Sequence, residues 1–194
     1  FTYLGSTVSS TAKIDKELRN RLGKASAAYG KLQHRLWNNR HVSIRVKCKV
    51  YRAVVLSSLL YGAEAWTIYR TQVKKLSAFM MRQLRDIMSV KWYDKITNEE
   101  ILRRANMPCM ADILIKRNLR WLGHVHRMDN DRLPKQLLYS QLKEGKRNQG
   151  RPRLRFKDVA KRNMKWRDIN TSSWQTLARN RVAWRTATKS KPKP

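Results

Sequence analysis

Residues 14–36, IDKELRNRLGKASAAYGKLQHRL, decide the fold class. Their apolar positions, Ile14, Leu18, Leu22, Ala25, Tyr29, Leu32 and Leu36, step by fours and threes. That spacing lays one apolar stripe along a helix of about six turns. Lys13, Lys16, Arg19, Lys24, Lys31 and Arg35 fall mostly off the stripe, where water can reach them.

The same period recurs downstream. Asn38-Asn39-Arg40-His41 breaks the first helix, and Ser43 is placed to cap the next. Val46, Val50, Val54 and the run Leu56 to Tyr61 predict a helix that stops at Gly62, its second half buried because charge disappears after Arg52. Thr71 to Met88 reads as a third helix with Val73, Leu76, Met80, Leu84, Ile87 and Met88 inside. Trp92-Tyr93-Asp94-Lys95 is a connector. Thr97-Asn98-Glu99-Glu100 is a capping box, in which Thr97 accepts from the amide three residues on and Glu100 reaches back. It opens a short helix to about Ala105.

Beyond Pro108, Ala111 to about Met128 predicts a helix with Leu114, Ile115, Leu119, Trp121, Leu122 and Val125 on a broad apolar face. Arg117, Arg120, His124 and Arg127 step by three, four and three along its other side. Leu137, Leu138, Tyr139 and Leu142 suggest a short docked element. Lys143 to Arg155 is a basic loop without periodicity, and Phe156 to Trp166 reads as helical. Ser172 or Ser173 caps a last helix with Trp174, Leu177, Ala178, Val182 and Trp184 inside. At the other end, Phe1 to Gly5 looks like a strand end with a turn, and Ser6 to Ala12 like a loop. The expected fold is mainly α: a helical bundle followed by a smaller, basic helical C-terminal region.

Composition narrows the function. Apolar residues make up 41% of 194 residues, which suits a chain with a core. Lys and Arg total 44 against 13 Asp and Glu, a formal net charge of +31. Residues 146–194 hold 16 basic and two acidic residues, a net +14. Self-repulsion on that scale favours a polyanionic partner, RNA or DNA first. The longest uncharged apolar run, Ala53 to Ala63, has 11 residues and is too short to span a bilayer. No signal peptide pattern opens the chain, and two cysteines suit a reducing compartment, so a nuclear or cytoplasmic location is expected. The chain begins at Phe1 in what reads as mid-strand, so it is expected to be a piece of something larger.

Several segments resemble the C-terminal part of non-LTR (LINE-type) retrotransposon reverse transcriptases, most of all the RTE clade. Phe1-Thr2-Tyr3-Leu4-Gly5 resembles the F-x-Y-L-G strand after the catalytic palm. Residues 60–66, Leu-Tyr-Gly-Ala-Glu-Ala-Trp, resemble the L-Y-G-x-E-x-W segment. Residues 119–128 resemble the L-R-W-x-G-H-V-x-R-M block. Gly150-Arg151-Pro152 followed by Arg155-Phe156-Lys157-Asp158 resembles the G-R-P-x-x-R-[WF]-x-D pattern. The order and spacing of the four carry more weight than any one.

The resemblance implies a terminal palm strand and loop over 1–12, with primer-grip-like Tyr3, Leu4 and Gly5. It implies a thumb-like helical bundle over 13–92 and a basic C-terminal helical region over 93–188; residues 189–194 read as a disordered tail. The F/Y-x-D-D pair that binds the polymerase metals is not in the sequence. Asp129-Asn130-Asp131 is the only close pair of aspartates, and it follows a helix in a polar turn. The chain is therefore expected to be non-catalytic on its own, needing no cofactor, and to work with the palm and finger domains of a parent RNA-directed DNA polymerase. The alternative is a domesticated stand-alone protein-interaction domain from such an element.

The expected contacts are phosphate contacts: Arg117, Arg120 and Arg127 on one helix face, and Lys146, Arg147, Arg151, Arg153, Arg155 and Lys157 in or beside the basic loop. Lys146 to Arg155 also resembles an AT-hook, but position 149 is Gln where a second arginine would stand. Cys48, Cys109, His124 and His126 lack zinc-site spacing, and two histidines two apart on a helix diverge by about 200°. Glu64, alone in an apolar stretch, reads as a structural carboxylate paired with an arginine or with backbone donors. Most of the seven tryptophans read as core. Trp37, Trp92 and Trp166 lie near element ends beside basic residues, where stacking on an unpaired base competes with packing.

Overall fold

A computed structural model describes residues 2–3, 6–7, 14–140, 150 and 154–189. The protein is mainly α. Its elements are a hairpin of β1 (Thr2–Tyr3) and β2 (Ser6–Thr7), then α1 (Asp15–Lys31), α2 (Ile44–Val50), α3 (Ser57–Leu59), α4 (Arg70–Ile87), α5 (Asn98–Ala105), α6 (Met110–His126), α7 (Leu133–Tyr139), α8 (Phe156–Trp166), α9 (Trp174–Arg179) and α10 (Arg181–Ala187). The strands pair antiparallel, Thr2 with Thr7 and Tyr3 with Ser6. Short 3-10 turns cover Ala63–Ala65 and Trp92–Asp94, and wider π turns cover Gln33–Trp37 and Tyr51–Leu56. The chain divides into two compact units, residues 1–62 with 68–113, and residues 63–67 with 114–194.

In the first unit α1 packs on the Tyr51–Leu59 segment and on α4, while α4 also meets α2 and α5. The stripe behaves as its spacing predicts at Leu18, Ala25 and Tyr29, which are buried. After Lys31 the helix widens into the π turn, which seats Trp37 inside. The Trp37 indole stacks on the Tyr29 ring (5.1 Å, 11°) and donates to the Tyr29 carbonyl at 2.8 Å. Trp37 is therefore core, not an exposed stacking ring. Ser43 caps α2 by accepting from the Val46 amide.

Polar side chains inside this unit are satisfied in pairs. Tyr51 donates to Gln83 Oε1 at 2.9 Å and Tyr29 to Asp86 Oδ2 at 2.6 Å. Both phenols are pushed above their ordinary value, chiefly by burial. Lys47 donates to the Trp37 carbonyl at 2.7 Å. The Arg21 guanidinium is gripped from three sides: Glu17 Oε1 at 2.6 Å, Ser6 Oγ at 3.2 Å, and the Tyr61 ring 4.5 Å from its centre. Gly62 follows Tyr61 with φ +72°, and a Cβ there would stand 3.4 Å from Ser6 Oγ. The Leu60-Tyr61-Gly62 triplet thus buries a leucine, covers Arg21, and turns the chain with the left-handed backbone that glycine tolerates.

Thr97 caps α5 as expected, accepting from the Glu100 amide at 3.3 Å. Glu100 does not reach back, however. It takes Arg103 and Arg104 at 2.7 Å each, two charged partners in place of one amide. They pull its carboxyl down to about 2.

The second unit has a core of Ile115, Leu119, Leu122, Val125, Leu138, Ala160, Met164, Ile169, Ala178 and Trp184. At Gly123 the Trp184 indole brings its Nε1 edge up to α6 and donates from Nε1 to the Leu119 carbonyl at 2.9 Å. Asn163 donates to Asn118 Oδ1 at 2.9 Å in the interior. The expected last helix is two. Asn180 interrupts it, accepting on its side chain from the Val182 and Ala183 amides to cap α10. The break re-registers the stripe, so Trp184 enters the core while Val182 is 74% exposed rather than inside. On α7, Leu138 docks, while Leu133 and Leu137 are 71% and 73% exposed.

Candidate nucleic-acid interface

On α6 the core takes Ile115, Asn118, Leu119, Leu122 and Val125. The helix repeat then leaves Lys116, Arg120 and His124, spaced by four, on the exposed side. The four basic positions singled out from spacing do not form one free ridge. Arg120 and His124 are exposed. Arg117 is half-exposed, with Nη1 3.8 Å from Glu64 Oε2. Arg127 turns inward and donates from Nη1 to the Ala178 carbonyl at 2.6 Å, where burial lowers its pKa with help from Arg181. A step of three from His124 carries position 127 around toward the α9 end, which is why it clasps backbone there.

Glu64, expected to pair with an arginine or backbone donors, meets Arg117 only at ion-pair distance, and its buried Oε2 takes no hydrogen bond. Its carboxylate faces Arg117, and its carbonyl accepts from Asn118 Nδ2 at 3.3 Å.

Arg155 and Lys157 are not in an irregular loop. Arg155 is the N-cap of α8, and its amide donates to Asp158 Oδ2 at 2.9 Å. The R-F-K-D string is therefore a helix start held by an aspartate at the third helical position. Lys157 lies in the first turn and donates to the Ser140 carbonyl at 3.1 Å. Lys146, Arg147, Arg151 and Arg153 lie outside the described residues, as do Leu4 and Gly5; Tyr3 sits in β1.

Sequence reading missed the outer face of α8. Val159, Ala160, Asn163 and Met164 are buried, so Lys161, Arg162 and Lys165 stand exposed beside Trp166. Lys116 was missed likewise. The legible signal was the repeat of four just off each apolar stripe. In the first unit Lys16, Arg19, Lys24, Lys31 and Arg35 are exposed along α1 and the turn after it.

Carboxylates do little to neutralise these cations. Glu17, Glu64, Glu100 and Asp158 each hold an arginine of their own. What remains outward is a surface in which exposed cations far outnumber exposed carboxylates such as Asp15, Glu99, Asp129 and Asp131, suited to phosphate oxygens. His126 does not add to it: Nδ1 lies 2.6 Å from the Tyr139 hydroxyl, and burial, with Lys135 next, pushes its pKa down.

Among the described residues no group of three or more His, Cys, Asp or Glu could hold a metal ion, and no helix is long and apolar enough to cross a membrane. Asp129 and Asp131 are both exposed in the turn between α6 and α7.

The chain is similar to an uncharacterised transposon-derived protein of Caenorhabditis elegans. The two are 26% identical over 191 residues, covering 95% of this chain and 68% of the relative. No family model and no solved structure matches the chain.

Proposed function

We propose that the chain is a nucleic-acid-binding, non-catalytic portion of an RTE-like non-LTR reverse transcriptase, comprising its thumb and the basic region after it. It grips template–primer, element RNA or target DNA by phosphate contacts. The observation that carries this reading is the exposed Lys116–Arg120–His124 row, backed by a packed core. Similarity to a transposon-derived protein supports a mobile-element origin, and a net charge of +31 supports the polyanion. Polymerisation would then need the palm and fingers of the parent enzyme.

A rigid row of charges follows a duplex backbone, whereas charge outside such a row adds affinity for any strand alike. Lys116→Gln with Arg120→Gln is therefore expected to reduce preference for an RNA–DNA hybrid over a single strand. Arg151→Gln with Arg153→Gln is expected to weaken all nucleic acids alike and to lower the salt slope by about one unit per lost contact. Fluorescence anisotropy on hybrid, duplex and single-strand probes measures both. Wild-type binding of every probe by the Lys116/Arg120 double variant would leave that row an ordinary solvated face.

A second reading, a stand-alone protein-interaction domain, is favoured by Leu133 and Leu137, neighbours one turn apart on α7 that the unit leaves bare.

A further inference from the structure

The connector between α4 and α5 presents two aromatic rings to solvent. Trp92 is 89% exposed and Tyr93 63%, and the rings meet edge to face with centroids 5.8 Å apart. Among the seven tryptophans none other is so bare among the described residues. The sequence placed Trp92, with Trp37 and Trp166, near an element end beside basic residues, where base stacking competes with packing; of the three, Trp92 is the barest.

The turn that carries them is tied down. The Val90 amide donates to the Arg85 carbonyl at 2.9 Å, closing the end of α4. The Lys91 amide donates to Asp94 Oδ2 at 2.7 Å, and the Asp94 amide returns to the Lys91 carbonyl at 3.2 Å. Arg85 reaches across from α4 to the Ile96 carbonyl at 2.9 Å and to Asn98 Oδ1 at 2.8 Å. Ser89 and Lys95, at either end, hold positive φ of 54° and 51°, a conformation that costs non-glycine residues energy and needs such bracing. The rings are thus mounted on a fixed turn, and ordering them on a ligand costs little entropy.

The charges beside the rings choose the ligand. Lys91 and Lys95 are exposed on both sides of the aromatic pair. Asp94, between them, accepts the Lys91 amide on Oδ2 and keeps its charge, which the two ammonium groups outnumber. An apolar π-face flanked by ammonium groups fits a nucleobase whose own phosphates lie to either side.

We propose that Trp92, with Tyr93 at its edge, is a stacking platform for an unpaired base of a single-stranded segment, and that Lys91 and Lys95 hold the phosphates flanking that base. This rests on the nucleic-acid reading above and deepens it, by adding a single-strand contact in the first unit to the phosphate row in the second.

The test uses the full chain, three polyanion probes (an oligothymidylate, a strand of equal length made of abasic sugar-phosphate, and a blunt duplex) and, separately, phosphatidylserine vesicles. Stacking is worth about 1–3 kcal/mol per base, so Trp92→Ala is expected to weaken oligothymidylate binding by about 5- to 150-fold. Trp92→Phe, which keeps a π-face, should recover much of that loss. Both variants should bind the abasic strand and the blunt duplex within about twofold of wild type, because phosphate contacts are untouched.

Equal weakening of all three probes by Trp92→Ala would overturn the platform, as would wild-type binding of oligothymidylate. Loss of binding to phosphatidylserine vesicles, with oligothymidylate unaffected, would assign the rings to a membrane surface instead. If the wild-type chain binds none of the three probes, the nucleic-acid reading itself fails; if it binds the duplex but Trp92→Ala changes nothing, only the platform does.

Discussion

Trp184→Ala is expected to destabilise the second unit by about 3–5 kcal/mol, the usual cost of deleting a large buried aromatic. Trp184 packs into the core and supplies the hydrogen bond to the Leu119 carbonyl. Gly123→Ala should be costly for the complementary reason. A Cβ at 123 would stand 2.2 Å from Trp184 Nε1 and 2.4 Å from Cδ1, inside any permitted contact, and the rigid indole cannot swing away. Overpacking of this kind costs about 1–3 kcal/mol. The two substitutions should be strongly non-additive. Once Trp184 is alanine the clash is gone, and Gly123→Ala should turn neutral or stabilising by up to about 1 kcal/mol through helix propensity. Urea unfolding of the four variants by circular dichroism reads this cycle. Additive costs would mean that the glycine is not there for the indole.

Arg21→Met is expected to cost the first unit about 3–5 kcal/mol, because it takes the 2.6 Å ion-pair partner from the buried Glu17 carboxylate. It also removes the bond to Ser6 and the cation under Tyr61. Replacing both charges, Glu17→Leu with Arg21→Met, should recover most of the loss, since an apolar pair of similar volume escapes the desolvation penalty that the ions carry. Denaturant midpoints for the single and double variants check it. A double variant as unstable as Arg21→Met would show that the salt bridge is not the source of the cost.

Most helices were legible from a 3.6-residue stripe, and a cap such as Ser43 or Thr97 depends on one side chain and one amide close in sequence; the stripe failed at Val46, Val54 and Tyr61, which are exposed because the expected single helix widens into a π turn at Tyr51–Leu56. What escaped depends on partners far along the chain. Trp37 reads as a helix-end aromatic, yet the π turn after Lys31 stacks it on Tyr29. Val182 fits the stripe with Trp184 until Asn180 breaks the helix and shifts its phase. Arg127 looks equivalent to Arg120 by spacing, but a carbonyl 51 residues away claims it. The basic faces were half legible for the same reason. Which cations remain outward is decided by which carboxylates and carbonyls the fold brings near, as at Arg127, whereas Lys116, Lys161 and Lys165 could have been read from the repeat of four just off each stripe. Asp158 could have been read from sequence, since an acid three residues after Arg155 and ahead of an apolar run is a helix-start signal.

The measurement that bears most directly on the account is the salt dependence of affinity for a short RNA–DNA hybrid, followed by anisotropy between about 50 and 200 mM salt. A grip made of phosphate contacts releases a counterion at each, so log affinity should fall linearly with log salt at about 0.9 per contact. The account predicts a slope of several units, reduced by about two in Lys116→Gln with Arg120→Gln. A slope near zero, or no binding at the lowest salt, would contradict it.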